Sequence, residues 1–207
     1  MKKLLIFGDS VEYGAWDVKG GWITRLRYQH DLETTSRGEK YIIYNLGHSN
    51  EDVLALKKRM TPEAKVRVSN KDQNIIMLKV GLNDSRRVDG KLVTSDAKFK
   101  TTLKSLITEA KKLSDIVIII GPTLADESRT NPFLHYQISW NNQDILAHDK
   151  IIASICKELN VQYISIAEDW VNENYELYLE DGLHPNSEGH KHIFERINEE
   201  LKPVLKP

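Results

Sequence analysis

Cysteine is almost missing from this chain: Cys156 is the only one in 207 residues. A lone thiol excludes an internal disulfide and a zinc site built on cysteines. Ile152, Ile155 and Leu159 flank it at helical spacing and assign it to a packed helix face rather than a reactive pocket. A surplus of one charge is missing too. The 29 Lys and Arg against 30 Asp and Glu leave a formal net charge of −1, which gives no footing for a nucleic-acid or anionic-membrane partner. Mean hydropathy is −0.46, and no apolar run approaches the roughly 20 residues of a membrane span, so no stable membrane insertion is expected. Met1-Lys2-Lys3 and four apolar residues imitate the start of a signal peptide. Gly8-Asp9 cuts that run well short of the ~7–15 residues an h-region needs, and no small-residue cleavage site follows. The expectation is a mature strand of a cytoplasmic protein. With no repeat, linker or low-complexity segment, residues 1–207 are expected to form one domain.

Five short apolar stretches alternate with helical patterns. The first, residues 4–7, is a continuous run, as suits a strand buried on both faces. Gly14 and Gly20-Gly21 mark a mobile or tightly turned loop before a helix over about 22–32, and 34–40 is a polar connection. A second strand is expected at 41–44. It is followed by a helix carrying Val53, Leu54, Leu56 and Met60, capped by Ser49 or Asn50. A third strand spans 75–80, then 85–95 reads as a long polar loop whose charges are solvated. Phe99, Leu103, Leu106, Ile107, Ala110 and Leu113 lie at helical spacing, and Ile116–Ile120 is the central strand. Residues 122–141 form a long polar insertion containing Phe133, Tyr136 and Trp140; loops of this length tend to be functional. A helix through Ile145, Ile152, Ile155 and Leu159, a fifth strand at 161–166, and a closing helix with Ile193, Ile197 and Leu201 complete the chain. Strands alternating with helices imply an α/β fold: a parallel sheet covered on both faces.

Three of these strands end in polar turns: Gly8-Asp9-Ser10, Gly47-His48-Ser49 and Gly81-Leu82-Asn83-Asp84. Parallel neighbours would bring the turns to one edge, where open α/β sheets bind ligands. Taken alone, Gly-Asp-Ser is equally a turn with a helix cap. Asp181 and His184, three apart on a turn, add what a serine nucleophile needs. The carboxylate can reach one imidazole nitrogen and leave the other facing a hydroxyl. The Ser10 N–H, the Gly47 N–H and the Asn83 amide could receive an oxyanion, with Gly47 closely approachable because it lacks a Cβ.

Gly8-Asp9-Ser10, Gly47, Gly81-x-Asn83-Asp84 and Asp181-x-x-His184-Pro185 together resemble the four sequence blocks of the SGNH (GDSL-type) hydrolases, in the family's order and over nearly the whole chain. The resemblance implies a flavodoxin-like three-layer α/β/α fold with a five-stranded parallel sheet. It also implies Ser10 as nucleophile, His184 as base, Asp181 as its orienting carboxylate, and an oxyanion hole of Ser10, Gly47 and Asn83. Two positions depart from the pattern: Glu12 stands where a small or hydroxyl residue is common, and Asn50 where a second glycine is. Both bear on substrate preference. The expected activity is a serine esterase that needs no cofactor and no metal and acts on a small-molecule ester. The polar loops favour a small or polar ester such as an acetylated sugar. A lysophospholipase or thioesterase, and a binding module without turnover, are the rival readings. His48, Phe133 and Tyr136 are candidates for touching substrate, whereas Asp9 and Asp84 read as structural. His190 and His192, two apart on a helix, point in different directions and make a poor metal pair. The sequence carries no reading of oligomeric state.

Overall fold

A computed structural model describes residues 1–37, 40–134 and 136–205. Five strands make the main sheet: β1 (Lys2–Gly8), β2 (Tyr41–Gly47), β3 (Gln73–Lys79), β4 (Ile116–Ile120) and β5 (Gln162–Ile164). All neighbouring pairs are parallel and the order is β2-β1-β3-β4-β5. Five long helices cover the sheet: α1 (Gly21–Arg37), α2 (Val53–Lys65), α3 (Asp96–Lys111), α4 (Asn142–Leu159) and α5 (Ser187–Leu205).

The period-two alternation of a strand divides the core. Leu4, Ile6, Ile75, Met77, Ile118 and Ile120 face α1 and α5, meeting Trp22, Leu26, Ile193 and Ile197. Leu5, Phe7, Ile76, Leu78, Val117 and Ile119 face the opposite way, onto Leu56, Met60, Phe99, Leu103 and Ile152. This is the expected three-layer α/β/α arrangement. Leu4, Leu5, Ile6 and Phe7 are all wholly buried, each contributing roughly 1.5–3 kcal/mol. β1 is therefore a firm base for the residues that follow it.

Gly8 pairs with Gly47, and Phe7 with Leu78, so the polar turns after β1, β2 and β3 emerge side by side. In the order 2-1-3-4-5 the chain direction across the sheet reverses between β1 and β3, the place where this topology binds ligands.

Several boundaries differ from the sequence reading. α1 runs on to Arg37, and β2 continues to Gly47. The polar connection expected at 34–40 is thus partly helix, and its residues 38 and 39 lie outside the described ones. α2 is capped by neither Ser49 nor Asn50 but by Asp52, whose carboxylate accepts from the Leu54 and Ala55 N–H groups at 2.9 and 2.8 Å. The 85–95 loop holds a hairpin of Arg87–Val88 and Lys91–Leu92, turning at Asp89-Gly90, where both φ angles are positive. Its first strand also pairs with Ile138–Ser139 of the long insertion, so the two loops form a small antiparallel sheet. Cys156 lies in the core, and burial pushes its thiol up to about 12.

Candidate active site

Ser10 follows Gly8-Asp9 directly and opens a single helical turn, Ser10–Tyr13. A capping box holds that turn. Asp9 Oδ1 accepts from the Val11 N–H at 2.9 Å, and Glu12 Oε2 accepts from the Asp9 N–H at 3.1 Å. Beneath it lies Lys79, the last residue of β3 and almost entirely buried, whose ammonium meets both Asp9 oxygens at 3.2 and 3.1 Å. The same ammonium is 3.9 Å from Glu12 Oε2, and the Trp22 indole donates to Glu12 Oε1 at 3.2 Å. Burial first, with the neighbouring Asp9 charge adding to it, raises Glu12 to about 8 against the pull of Lys79 and Trp22. At neutral pH the cluster is therefore one ion pair, Lys79–Asp9, with a protonated Glu12 beside it.

The turn before α5 brings the other two groups. His184 Nε2 stands 3.0 Å from Ser10 Oγ, and His184 Nδ1 stands 2.7 Å from Asp181 Oδ2. Asp181 Oδ1 accepts from the Leu183 and His184 N–H groups at 3.0 and 2.8 Å, which sets the carboxylate's direction. Burial opposes ionisation of Asp181. Its bonds from the His184 ring and from these two N–H groups outweigh that and hold it well below the usual carboxylate range. An ionised Asp181 accepts a hydrogen bond from Nδ1–H, which leaves Nε2 as an acceptor turned to the serine hydroxyl. The three residues sequence reasoning selected are thus in contact, across a separation of 174 positions.

The oxyanion-hole expectation is changed in one member. The Gly47 N–H donates to Asn45 Oδ1 at 2.9 Å, so it is already occupied. Gly47 has a different need for glycine: a Cβ there would lie 2.2 Å from Tyr13 N, inside the backbone of the Ser10 turn. Asn83 is buried and donates one amide hydrogen to Glu51 O at 3.1 Å, which leaves the second free. The segment between is held at both ends, the His48 N–H donating to Gly8 O at 2.9 Å. It turns through Asn50 at φ 63°. Among the described residues no protein group accepts from the N–H of Ser49 or Asn50. Arg59 of α2 ties these strand ends together, donating to Leu46 O at 2.7 Å and pairing with Glu51.

Asp84 is structural, as the sequence suggested. Its carboxylate accepts from the Val53 N–H at 3.2 Å and the Gly81 N–H at 3.3 Å. Burial raises it to about 7, with a contribution from Asp52. Phe133 reaches the site, its ring centroid 6.5 Å from that of His184 and 5.4 Å from that of Trp140. The Trp140 indole in turn donates to Leu82 O at 2.9 Å and fixes the Asn83 turn to the insertion. His48 and Tyr136 are exposed, and among the described residues no contact joins either to Ser10 or His184. His190 is buried. Burial lowers it to about 4, and its Nε2–H donates to Ala15 O at 3.3 Å, so it is a neutral strut. No group of three or more metal-binding side chains exists among the described residues, and no helix there is long and apolar enough to cross a membrane.

Sequence reasoning passed over two residues here. Lys79 was a lone charge inside an apolar strand run, a signal in plain view. Trp16 gave none. Its indole N–H donates to Asp181 Oδ2 at 3.2 Å, and its ring centroid is 5.6 Å from that of His184.

A parallel α/β sheet with a Ser–His–Asp cluster at its switch point defines a class of hydrolase rather than one protein. The sequence profile of the GDSL-like lipase/acylhydrolase family matches residues 6–192. The chain belongs to this family, and is accordingly a carboxylic ester hydrolase. Among solved structures, a lipase/acylhydrolase from Enterococcus faecalis superposes with a TM-score of 0.78 at 24% identity, over 100% of this chain and 98% of that one. A variant of an acetyl xylan esterase from Geobacillus stearothermophilus gives 0.74 at 18% identity, over 97% and 94%. Another acetyl xylan esterase, AlAXEase, gives 0.73 at 22% identity, over 96% and 99%. No curated protein matches the chain. At these identities the structural likeness establishes the fold.

Proposed function

We propose that the chain, acting as a single domain over residues 1–207, is a serine esterase for small or polar acyl esters, with acetylated sugars the preferred class. The observation that carries this is the contact chain Ser10 Oγ–His184 Nε2–Asp181, at 3.0 and 2.7 Å. Ser10 Oγ attacks the ester carbonyl carbon while His184 Nε2 takes its proton. The carbonyl π electrons move onto oxygen, where the Ser10 N–H and the free Asn83 N–H receive them. A third donor comes from the 49–50 segment in place of Gly47. Collapse breaks the C–O bond to the alcohol, whose oxygen leaves with the proton held by His184. Water, deprotonated by His184, then cleaves the acyl-serine. Catalytic mutants of the Geobacillus esterase replace one serine or one histidine by alanine, which supports a Ser–His pair here, and that enzyme's name supports the sugar-acetate preference.

The test is labelling by a fluorophosphonate together with turnover of p-nitrophenyl acetate. Wild type is expected to be labelled on Ser10, and Ser10→Ala to lose both labelling and all but a trace of turnover, because removing a nucleophile lowers kcat by orders of magnitude. Retention of more than roughly a tenth of kcat would sink the assignment. Asn83→Ala is expected to lower kcat by about 10²–10³ at nearly constant KM, since the donor acts on developing charge. Loss of melting temperature with near-normal kcat would make Asn83 a turn residue instead.

A further inference from the structure

Trp16 combines properties that a surface residue rarely has together. The residue is 61% exposed, yet its indole N–H is held on Asp181 at 3.2 Å. The loop beneath it is pinned rather than mobile. Asp17, buried, accepts from the N–H groups of Lys19 and Gly21 at 3.0 and 3.1 Å, and from the side chains of Arg25 and Ser187 at the starts of α1 and α5. Burial resists ionisation of Asp17, but these donors hold it well below the usual carboxylate range. Ala15 O is taken by the buried His190. Gly14 and Gly21 close the loop, so near each other that a Cβ on Gly21 would lie 2.6 Å from Gly14 Cα. The exposed indole is therefore a fixed surface, ordered before anything binds.

Its position says which part of an ester it would meet. In the proposed mechanism His184 gives its proton to the departing alcohol oxygen, so the alcohol half of the ester lies beside His184. Trp16 stands edge-on to the same imidazole at 5.6 Å. A flat π-face matches a leaving group that presents a flat face of C–H bonds, whose positive edges meet the negative ring face. A pyranose does this while its hydroxyls stay in water.

We infer that Trp16 is the leaving-group subsite, stacking the sugar ring of an acetylated saccharide against its exposed face while its N–H stays on Asp181. This rests on the serine-esterase reading above. It goes further in naming the residue, the half of the substrate it binds and the type of contact.

The experiment separates the face from the N–H. Trp16→Phe keeps an aromatic face and removes the donor, whereas Trp16→Ala removes both. Each variant is assayed on xylose tetraacetate, which carries a sugar ring, and on ethyl acetate, which does not. The KM for xylose tetraacetate is expected to be about 3- to 10-fold higher in Trp16→Ala than in Trp16→Phe, the worth of one aromatic stack. For ethyl acetate the two variants should agree within about twofold. Both should share a fall in kcat on both esters, because both lose the donor to Asp181. Equal KM values for the two variants on xylose tetraacetate would overturn the subsite, as would a parallel rise on both esters. Failure of the wider reading looks different: wild type would then escape fluorophosphonate labelling and turn over neither ester.

Discussion

Trp16 and Trp22 each donate an indole N–H to a carboxylate at 3.2 Å, and the two carboxylates end in opposite charge states. Asp181 is ionised far below neutrality, whereas Glu12 keeps its proton up to about 8. The indole is common to both and so does not decide. Asp181 retains contact with water, its side chain 22% exposed, and it collects two backbone N–H groups and an imidazole besides. Glu12 has lost water entirely. The cation nearest to it, Lys79, stands closer to Asp9. Solvent and the number of donors set the charge. The result suits ester chemistry: a negative charge stands where it steadies the imidazole, and none is added by Glu12 below the serine, where it would oppose an oxyanion.

The sharpest way to break this contrast is to neutralise Asp181. Asp181→Asn is expected to lower kcat on p-nitrophenyl acetate by about 10⁴-fold, because the amide favours the wrong imidazole tautomer. A loss under tenfold would mean that His184 is oriented without Asp181. The next effect is on stability. Lys79→Met strands Asp9 in a site with almost no solvent, at an expected loss of about 3–5 kcal/mol in urea unfolding. A loss below about 1 kcal/mol would show that Asp9 does not depend on that cation. Glu12→Gln is the gentlest change. It offers one acceptor where two N–H groups point, so it should lose about 1 kcal/mol at acid pH.

The pH dependence of that last variant carries the test of charge. The folded-state value of Glu12, about 8, lies above its ordinary 4.5. The stability it contributes is therefore complete below about 4.5 and drains away as pH rises towards 8. Gln does not titrate, and a rise of this size outweighs the roughly 1 kcal/mol assigned to the missing acceptor, so the advantage of wild type over Glu12→Gln in melting temperature should shrink and then reverse over that interval. Asp84 titrates in the same range but is common to both proteins and cancels. A gap constant from pH 5 to 8 would show that Glu12 is ionised throughout.

The sheet was legible because its inner strands are buried on both faces: residues 4–7, 75–78 and 116–120 show as unbroken apolar runs. β2 is at the sheet's edge, with Asn45 exposed near its end, so its last residues looked like loop. The final turns of α1 are polar and carry no periodic apolar signal. Two-residue strands such as Arg87–Val88 depend on a partner 50 residues away and leave no local pattern, although Asp89-Gly90 marked the turn. Ser10, Asp181 and His184 stood out through the resemblance of the four sequence blocks to the SGNH hydrolases, since Gly-Asp-Ser by its spacing alone suits a turn with a helix cap equally well. The occupation of the Gly47 N–H was not, because a competing acceptor, Asn45, decides it. Trp16 owes its place to a loop that Asp17 ties to Arg25 of α1 and Ser187 of α5, and that His190 of α5 holds at Ala15 O, a convergence that only folding produces.

The wide sequence gap between Ser10 and His184 has a consequence for the order of synthesis. All five strands of the main sheet have been made once residue 164 has been added. A growing chain at that point already carries Ser10, Asn83 and the floor of Lys79, Asp9 and Glu12 beneath the serine. It still lacks His184, Asp181 and α5, which buries the α1 side of the sheet. Such a chain holds an inert hydroxyl. By the proposed mechanism, ester cleavage switches on only when His184 emerges and docks, so the enzyme would not act on its substrate while it is half made.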